Sequence, residues 1–276
     1  MTGGRLEGWV VVVTRALDQA PALAGALAEV GATPVEMPVI EIGPPADGGA
    51  ALDRAAARAG AYDWVVLTSA NAVVPFLSRL GGRRALGRSK VAAIGPGTAR
   101  ALEEQGVVAD LVPDAFVAEA LVAAFPPPSE PGGRVLLPRA AVARETLPDG
   151  LRAMGWEVDV VEAYRTRSTT LAAAAVEAAR GADAVTFTSP STVAAYLEAV
   201  GPAGVPPAVA CIGPVTAADA GRRGLAVDVV APDHTIAGLV AAMVDRWGGT
   251  RPPRSPRPPR SPRPPRDGRP PGASPP

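Results

Sequence analysis

The chain writes the same phrase twice. The segment "KVAAIGPGTARALEEQGVVADLV" occupies 90–112 and "AVACIGPVTAADAGRRGLAVDVV" occupies 208–230. Ile94, Gly95, Pro96, Thr98, Gly106 and Asp110 recur as Ile212, Gly213, Pro214, Thr216, Gly224 and Asp228. A second phrase, "YDWVVLTSANAVVPFL" (62–77), returns as "ADAVTFTSPSTVAAYL" (182–197), pairing Asp63 with Asp183, Thr68 with Thr188 and Ser69 with Ser189. A looser third pair spans 11–36 and 135–160 and matches Arg15 with Arg139, Leu27 with Leu151 and Gly31 with Gly155. The chain is therefore a duplication of three units in the order A-B-C-A-B-C. Its 276 residues are enough for two separately packed cores.

Each unit opens with a short β-branched run, passes through small or polar residues, and continues as an Ala/Leu-rich segment of helical period that ends near a glycine. That reads as strand, turn and helix. Gly95 and Gly213 are expected to let the backbone bend, Pro96 and Pro214 suit a first helical position, and Gly106 and Gly224 suit a C-terminal cap. Pro75 conflicts with a helix beginning at "TSANAV": either the helix starts late or its first turn is distorted. Strands alternating with helices predict an α/β fold with parallel sheets covered on both faces.

Ligands of open parallel sheets bind at the carboxyl ends of the strands. Six phrases are expected there: Thr14-Arg15, Thr68-Ser69-Ala70-Asn71, Gly95-Pro96-Gly97-Thr98, Pro138-Arg139, Thr188-Ser189-Pro190-Ser191 and Gly213-Pro214-Val215-Thr216. Each sets free N–H groups and small hydroxyls at a helix start, which attracts anions. Two such edges facing each other would make an anion-seeking cleft with one wall from each half. Ser and Thr at helix starts are equally capping residues, worth about 1 kcal/mol each. No phosphate loop, dinucleotide fingerprint or serine triad is present. One Cys and one His exclude a Cys/His metal site. His234 reads as a surface or capping residue, and Cys211 as a small buried hydrophobe. Tyr164 closes the apolar run "VDVVEAY", so its hydroxyl either enters the cleft or packs at its rim.

The zero formal charge hides a division. Residues 251–276 carry seven Arg against one Asp, which leaves a net charge of −6 on 1–250. Twelve prolines in those last 26 residues, in an "RPPRSP" period, predict a disordered polyproline-like tail whose partner the sequence does not identify. No apolar run approaches a bilayer span, and "MTGGRLEGWVVVV" does not read as a secretory signal, so a cytoplasmic protein without a membrane partner is expected.

Seven phrases in order, "VTR", "YDWVVLTSANAV", "IGPGTARAL", "LLPRA", "YRT", "VTFTSPSTV" and "IGPVTA", resemble the uroporphyrinogen-III synthase family over about 10–244. The resemblance implies two similar α/β domains, each a parallel sheet flanked by helices, linked by a two-stranded β connector with the cleft between them. It implies a discontinuous first domain of 1–37 and 167–247, a second of 43–161, connector strands 38–42 and 162–166, and a tail of 248–276. The implied reaction is that of a hydro-lyase of heme and tetrapyrrole biosynthesis, which closes hydroxymethylbilane to uroporphyrinogen III with inversion of ring D and loss of water. Neither cofactor nor metal is implied, and a monomer is expected. The family's cleft positions map onto Thr14, Arg15, Ser69, Asn71, Thr98, Arg139, Ser189, Ser191 and Thr216 for substrate binding, with Tyr164 as proton donor to the departing hydroxyl. Orientation of a flexible polycarboxylate would supply most of the catalysis. The alternative is a binding or sensor protein that closes on an anionic metabolite without chemistry.

Overall fold

A computed structural model describes residues 6–250; the basic tail expected beyond Thr250 lies outside the described residues. In chain order the elements are β1 (Val10–Val13), α1 (Ala20–Glu29), β2 (Thr33–Glu36), β3 (Ile40–Gly43), α2 (Ala50–Ala56), β4 (Trp64–Leu67), α3 (Ala70–Leu77), β5 (Lys90–Ala93), α4 (Pro96–Glu104) and α5 (Ala118–Ala124). They continue with β6 (Arg134–Ala140), α6 (Thr146–Ala153), β7 (Glu157–Ser168), α7 (Ala173–Arg180), β8 (Ala184–Phe187), α8 (Pro190–Val200), β9 (Ala208–Cys211), α9 (Pro214–Arg222), β10 (Val229–Val230) and α10 (Ile236–Trp247). One sheet has the strand order β10-β9-β8-β1-β2, all parallel. The other runs β3-β7-β6-β4-β5, parallel except for β3.

The sheets repeat one topology. β5, β4, β6 and β7 stand in the order of β9, β8, β1 and β2, and Leu111 bridges Ala92 in parallel where β10 pairs with β9. Four of the repeated aspartates hold this pattern together from the opposite edge. The Asp63 carboxylate accepts from Arg134 N and Asp183 from Val10 N, each at 2.8 Å. Asp110 accepts from Val91 N at 2.7 Å and Asp228 from Val209 N at 2.8 Å. These matches in the duplicated phrases are strand clamps, far along the strands from the ends that carry the hydroxyls.

The inner strands β1, β4, β8 and β9 are buried on both faces, which is why they read as nearly unbroken apolar runs. Val11 and Val13 pack with α1 and α10, while Val12 packs with α8 and α9 on the other side. In the second sheet Val65 and Leu67 face α2, α3 and α4, and Trp64 and Val66 face α5 and α6. Full burial of each such side chain stabilises by about 1.5–3 kcal/mol. Gly106 and Gly224 follow the ends of α4 and α9 at φ of +70° and +87°, the left-handed region that glycine reaches without strain.

Three local expectations change. Gly95 and Gly213 have φ of −174° and −176°, extended backbone open to any residue, so their reason is packing and not bending. A Cβ on Gly95 would lie 3.0 Å from Phe116 Cβ, and one on Gly213 would lie 3.0 Å from His234 Cδ2. Pro75 does not delay the start of α3: the helix begins at Ala70, and Pro75 sits inside it. Its carbonyl accepts from Arg79 Nη1 at 2.8 Å. Pro138-Arg139 is not a strand-to-helix turn. β6 continues through Ala140 with a register shift between Arg139 and Ala140, because β7 stays paired with it as far as Tyr164.

The backbone passes between the two sheets twice, between β2 and β3 and between β7 and α7. There β3 pairs antiparallel with the end of β7, Ile40 opposite Ser168 and Gly43 opposite Arg165. This pairing takes up residues 165–168 of β7 and overlaps the expected 162–166 only at Arg165 and Thr166, since β7 is still paired with β6 as far as Tyr164.

Candidate active site

The C-terminal ends of β1, β4, β5, β8 and β9 carry the phrases that stood out in the sequence, and α3, α4, α8 and α9 begin directly from them. Ser69 caps α3, its Oγ accepting from Asn71 N at 3.2 Å. Ser189 caps α8 within a capping box completed by Thr192, and its Oγ lies 2.8 Å from Ser191 Oγ. Both serines thus have the capping role that the sequence allowed, with Ser191 beside one of them. Thr98 and Thr216 occupy equivalent buried positions in the first turns of α4 and α9.

Three side chains form a hydrogen-bonded chain between the halves, and Ser69 and Tyr164 lie beside it. Arg15, after β1, donates from Nη2 to Gln19 Oε1 at 3.1 Å. Gln19 donates from Nε2 to Asn71 Oδ1 at 2.7 Å, reaching the start of α3 over the second sheet. The Tyr164 hydroxyl faces the side chains of Ser69 and Asn71. Arg15 Nε is buried with no hydrogen-bond partner. Burial lowers the pKa of this guanidinium, opposed by the charge of Asp18. An unpartnered buried N–H on a guanidinium is costly unless an acceptor arrives, and a carboxylate is the acceptor whose geometry matches it.

Tyr164 is buried at the point where β7 leaves β6. Burial raises its pKa above that of an ordinary phenol, while Ser69 and Asn71 pull the other way. The group therefore stays protonated at neutral pH and able to donate.

Two residues of the expected set stand apart. Thr14 is fully buried and its hydroxyl donates to Thr186 O at 2.7 Å inside the first sheet, so its side chain is committed to the fold. Arg139 is paired with Glu145, and its Nη1 donates to Arg144 O at 3.0 Å. Its charge is spent locally. Gln19 was missed by sequence reasoning because an isolated glutamine at a helix start looks like a cap. In the structure it stands at the N-cap of α1 but makes no side-chain cap bond, its amide being used to reach Asn71 over the second sheet.

A second contact crosses between the halves. The rings of Phe116 and His234 meet edge to face, with centroids 5.2 Å apart and planes at 82°. The signal for it lay in the sequence: "PDAFVAEALV" (113–122) and "PDHTIAGLV" (232–240) extend the repeat, and Phe116 and His234 occupy equivalent positions.

Among the described residues there is no cluster of three or more His, Cys, Asp or Glu able to hold a metal ion. No described helix is long and apolar enough to cross a membrane.

Comparison with known proteins agrees with this architecture. The family model for uroporphyrinogen-III synthase HemD matches residues 21–241. The uroporphyrinogen-III synthase of Synechococcus elongatus is 34% identical over 259 residues, covering 88% of this chain and 96% of that protein. A crystal structure of a variant of the Thermus thermophilus uroporphyrinogen III synthase superposes with a TM-score of 0.62 at 19% identity, over 87% of this chain and 99% of the other. The Helicobacter pylori enzyme superposes with a TM-score of 0.54 at 15% identity, over 86% and 98%. At those identities the superpositions speak for the fold, while the family match and the cyanobacterial relative carry the assignment: this chain belongs to the uroporphyrinogen-III synthase HemD family, lyase-type enzymes of tetrapyrrole biosynthesis.

Proposed function

We propose that the cleft binds hydroxymethylbilane and closes it to uroporphyrinogen III, with inversion of ring D and loss of one water, and that Tyr164 protonates the departing hydroxyl. The observation that carries this reading is the hydrogen-bonded chain Arg15–Gln19–Asn71 with Tyr164 beside it: a guanidinium with a free buried donor, held across the two halves next to a protonated phenol. The pyrrole supplies the electron pair that expels the hydroxyl, and the phenol supplies the proton that makes it water. The proton lost when the last ring becomes aromatic again returns to the phenolate, so the chain ends as it began. Arg15 and the N–H groups at the starts of α3, α4, α8 and α9 hold the substrate's carboxylates, with Ser69, Asn71, Thr98, Ser189, Ser191 and Thr216 lining those positions. Thr14 and Arg139 support the two walls from behind. In this reading catalysis is mostly orientation, because direct closure of an unconstrained chain gives the wrong isomer.

The same reading divides the chain into a lobe of 1–37 with 167–247 and a lobe of 43–161, hinged on the β3–β7 pair. The two backbone passages between the sheets support that division. Both walls of the cleft come from one chain, which suits a monomer. A single buried cysteine suits the reducing cytoplasm.

The test is incubation of the purified chain with freshly prepared hydroxymethylbilane, followed by separation of the isomers. Isomer III above the spontaneous background is expected. Isomer I alone, with saturable binding of the substrate, would identify an anion-binding protein instead.

A further inference from the structure

We infer that Phe116 and His234 are a matched pair of positioning residues that fasten the two halves of the cleft beside the Gly-Pro phrases and thereby hold the geometry in which isomer III forms. The inference rests on the cyclising activity proposed above. Three independent observations lead to it.

The first is equivalence. Phe116 precedes α5 and His234 precedes α10, at the same spacing of 118 residues that separates Gly95 from Gly213. The second is contact: the only histidine of the chain meets its own counterpart from the other half, ring to ring at 5.2 Å. A residue placed there for local packing alone would have no reason to meet its repeat-mate. The third is the pair of glycines. Each side chain lies so close over the glycine of its own half that an added Cβ would come to 3.1 Å from the Phe116 ring at Gly95 and to 3.0 Å from the His234 ring at Gly213, although both glycines have backbone angles that any residue could adopt. The result is one continuous stack, Gly95–Phe116–His234–Gly213, running from the start of α4 to the start of α9.

Those two helix starts carry Thr98 and Thr216 and no hydrogen bond joins them among the described residues. Their separation is therefore fixed by whatever fastens the halves nearby, and the ring pair is the contact that does so. Gln19–Asn71 serves the Tyr164 side of the cleft. Phe116–His234 serves the side of the Gly-Pro phrases. An edge-to-face pair of this kind biases a closed over an open arrangement on the order of two- to tenfold.

The test uses full-length chains carrying Phe116→Ala, His234→Ala, His234→Phe and the exchange Phe116→His with His234→Phe. The two alanine variants are expected to keep their melting temperature within a few degrees, to lose on the order of two- to tenfold in kcat/KM, and to release a larger fraction of isomer I. His234→Phe and the exchange variant, which retain a ring pair, are expected to return close to the wild-type rate and isomer ratio. Alanine variants with unchanged rate and isomer ratio, from a wild type that makes isomer III, would overturn the inference. So would an exchange variant as impaired as the alanines, since the pair would then not act as a pair. A readout without substrate separates this from failure of the activity itself. The resonances of the single histidine ring are expected to shift when Phe116 becomes Ala, through loss of the neighbouring ring current, and unchanged resonances would refute the contact whatever the chain catalyses.

Discussion

Gln19 at the start of α1 donates its amide to Asn71 at the start of α3, 2.7 Å away and in the other half of the fold. Because Arg15 donates to the same glutamine and Tyr164 faces the same asparagine, this bond sets the guanidinium relative to the phenol. Gln19→Leu removes both polar contacts at similar volume. The neutral bond to Asn71 contributes about 0.5–1.5 kcal/mol and the bond from the charged Arg15 about 1.5–3 kcal/mol, so kcat/KM should fall at least about tenfold. Steady-state rates on hydroxymethylbilane check this, and a rate equal to wild type would remove Gln19 from the working set.

Tyr164→Phe should lower the rate by less than about 10²-fold, the lower edge of what a positioned general acid contributes, with isomer III still the main product. The pyrrole itself drives water loss. Thr216→Ala and Ser189→Ala should each be partial, since neighbouring backbone N–H groups remain, and Tyr164→Phe combined with Thr216→Ala should lose more than either alone. A folded Tyr164→Phe protein with no activity would make the phenol obligatory.

His234 should titrate below 6.5, because burial against Phe116 disfavours the charged ring more than nearby Asp233 favours it. A depressed folded-state pKa means that the neutral ring's contribution to stability is present above about 6.5 and is lost as pH falls through the folded value. The NMR titration of this one histidine measures it directly. In Phe116→Ala the value should rise toward 6.5.

Cys211 is fully buried in β9, and burial pushes its thiol up to about 12. At pH 8 the native chain should be almost inert to a thiol-reactive disulfide reagent, and should react stoichiometrically once unfolded by guanidinium. Full labelling of the native protein within minutes would contradict the burial of the strand.

Asp228→Ala should destabilise by about 1.5–3 kcal/mol, the cost of removing a charged acceptor from a backbone N–H, here that of Val209. The clamp lies at the end of the sheet away from the cleft, so activity per folded molecule should be unchanged. Asp110→Ala should behave alike through Val91. Thermal melts with kinetics on the same samples separate the two effects.

Much of this was legible in the sequence because duplication marks what both halves need. Strand, turn and helix could be read from "VVLTSANAV" and "VTFTSPSTV" alone, since parallel strands buried on both faces must be apolar throughout and their helices must be capped. What could not be read was the purpose of each match. Asp63 and Asp183 recur as faithfully as Ser69 and Ser189, yet the aspartates clamp strands at one edge and the serines sit at the other. Sequence also cannot say where a committed side chain spends its bonds. Thr14 and Arg15 are neighbours, but one hydroxyl is consumed by Thr186 and the other residue keeps a free donor. Nor does local pattern reveal partners that meet only when the halves come together, and Gln19–Asn71 and Phe116–His234 are both of that kind.

The twelve residues of β7 belong to two structures at once. Their first part lies parallel in a sheet beside β6, their last four residues pair with β3 in the strip that leads toward the other half, and Tyr164 stands where one role gives way to the other. In the proposed hinge the two halves rock about that strip, and a point on an axle travels least. In the proposed reading the phenol sits beside that axis while the loops at the helix starts swing around it, so a long, pliable substrate can be wound up by moving walls and still meet the same proton donor in the same place.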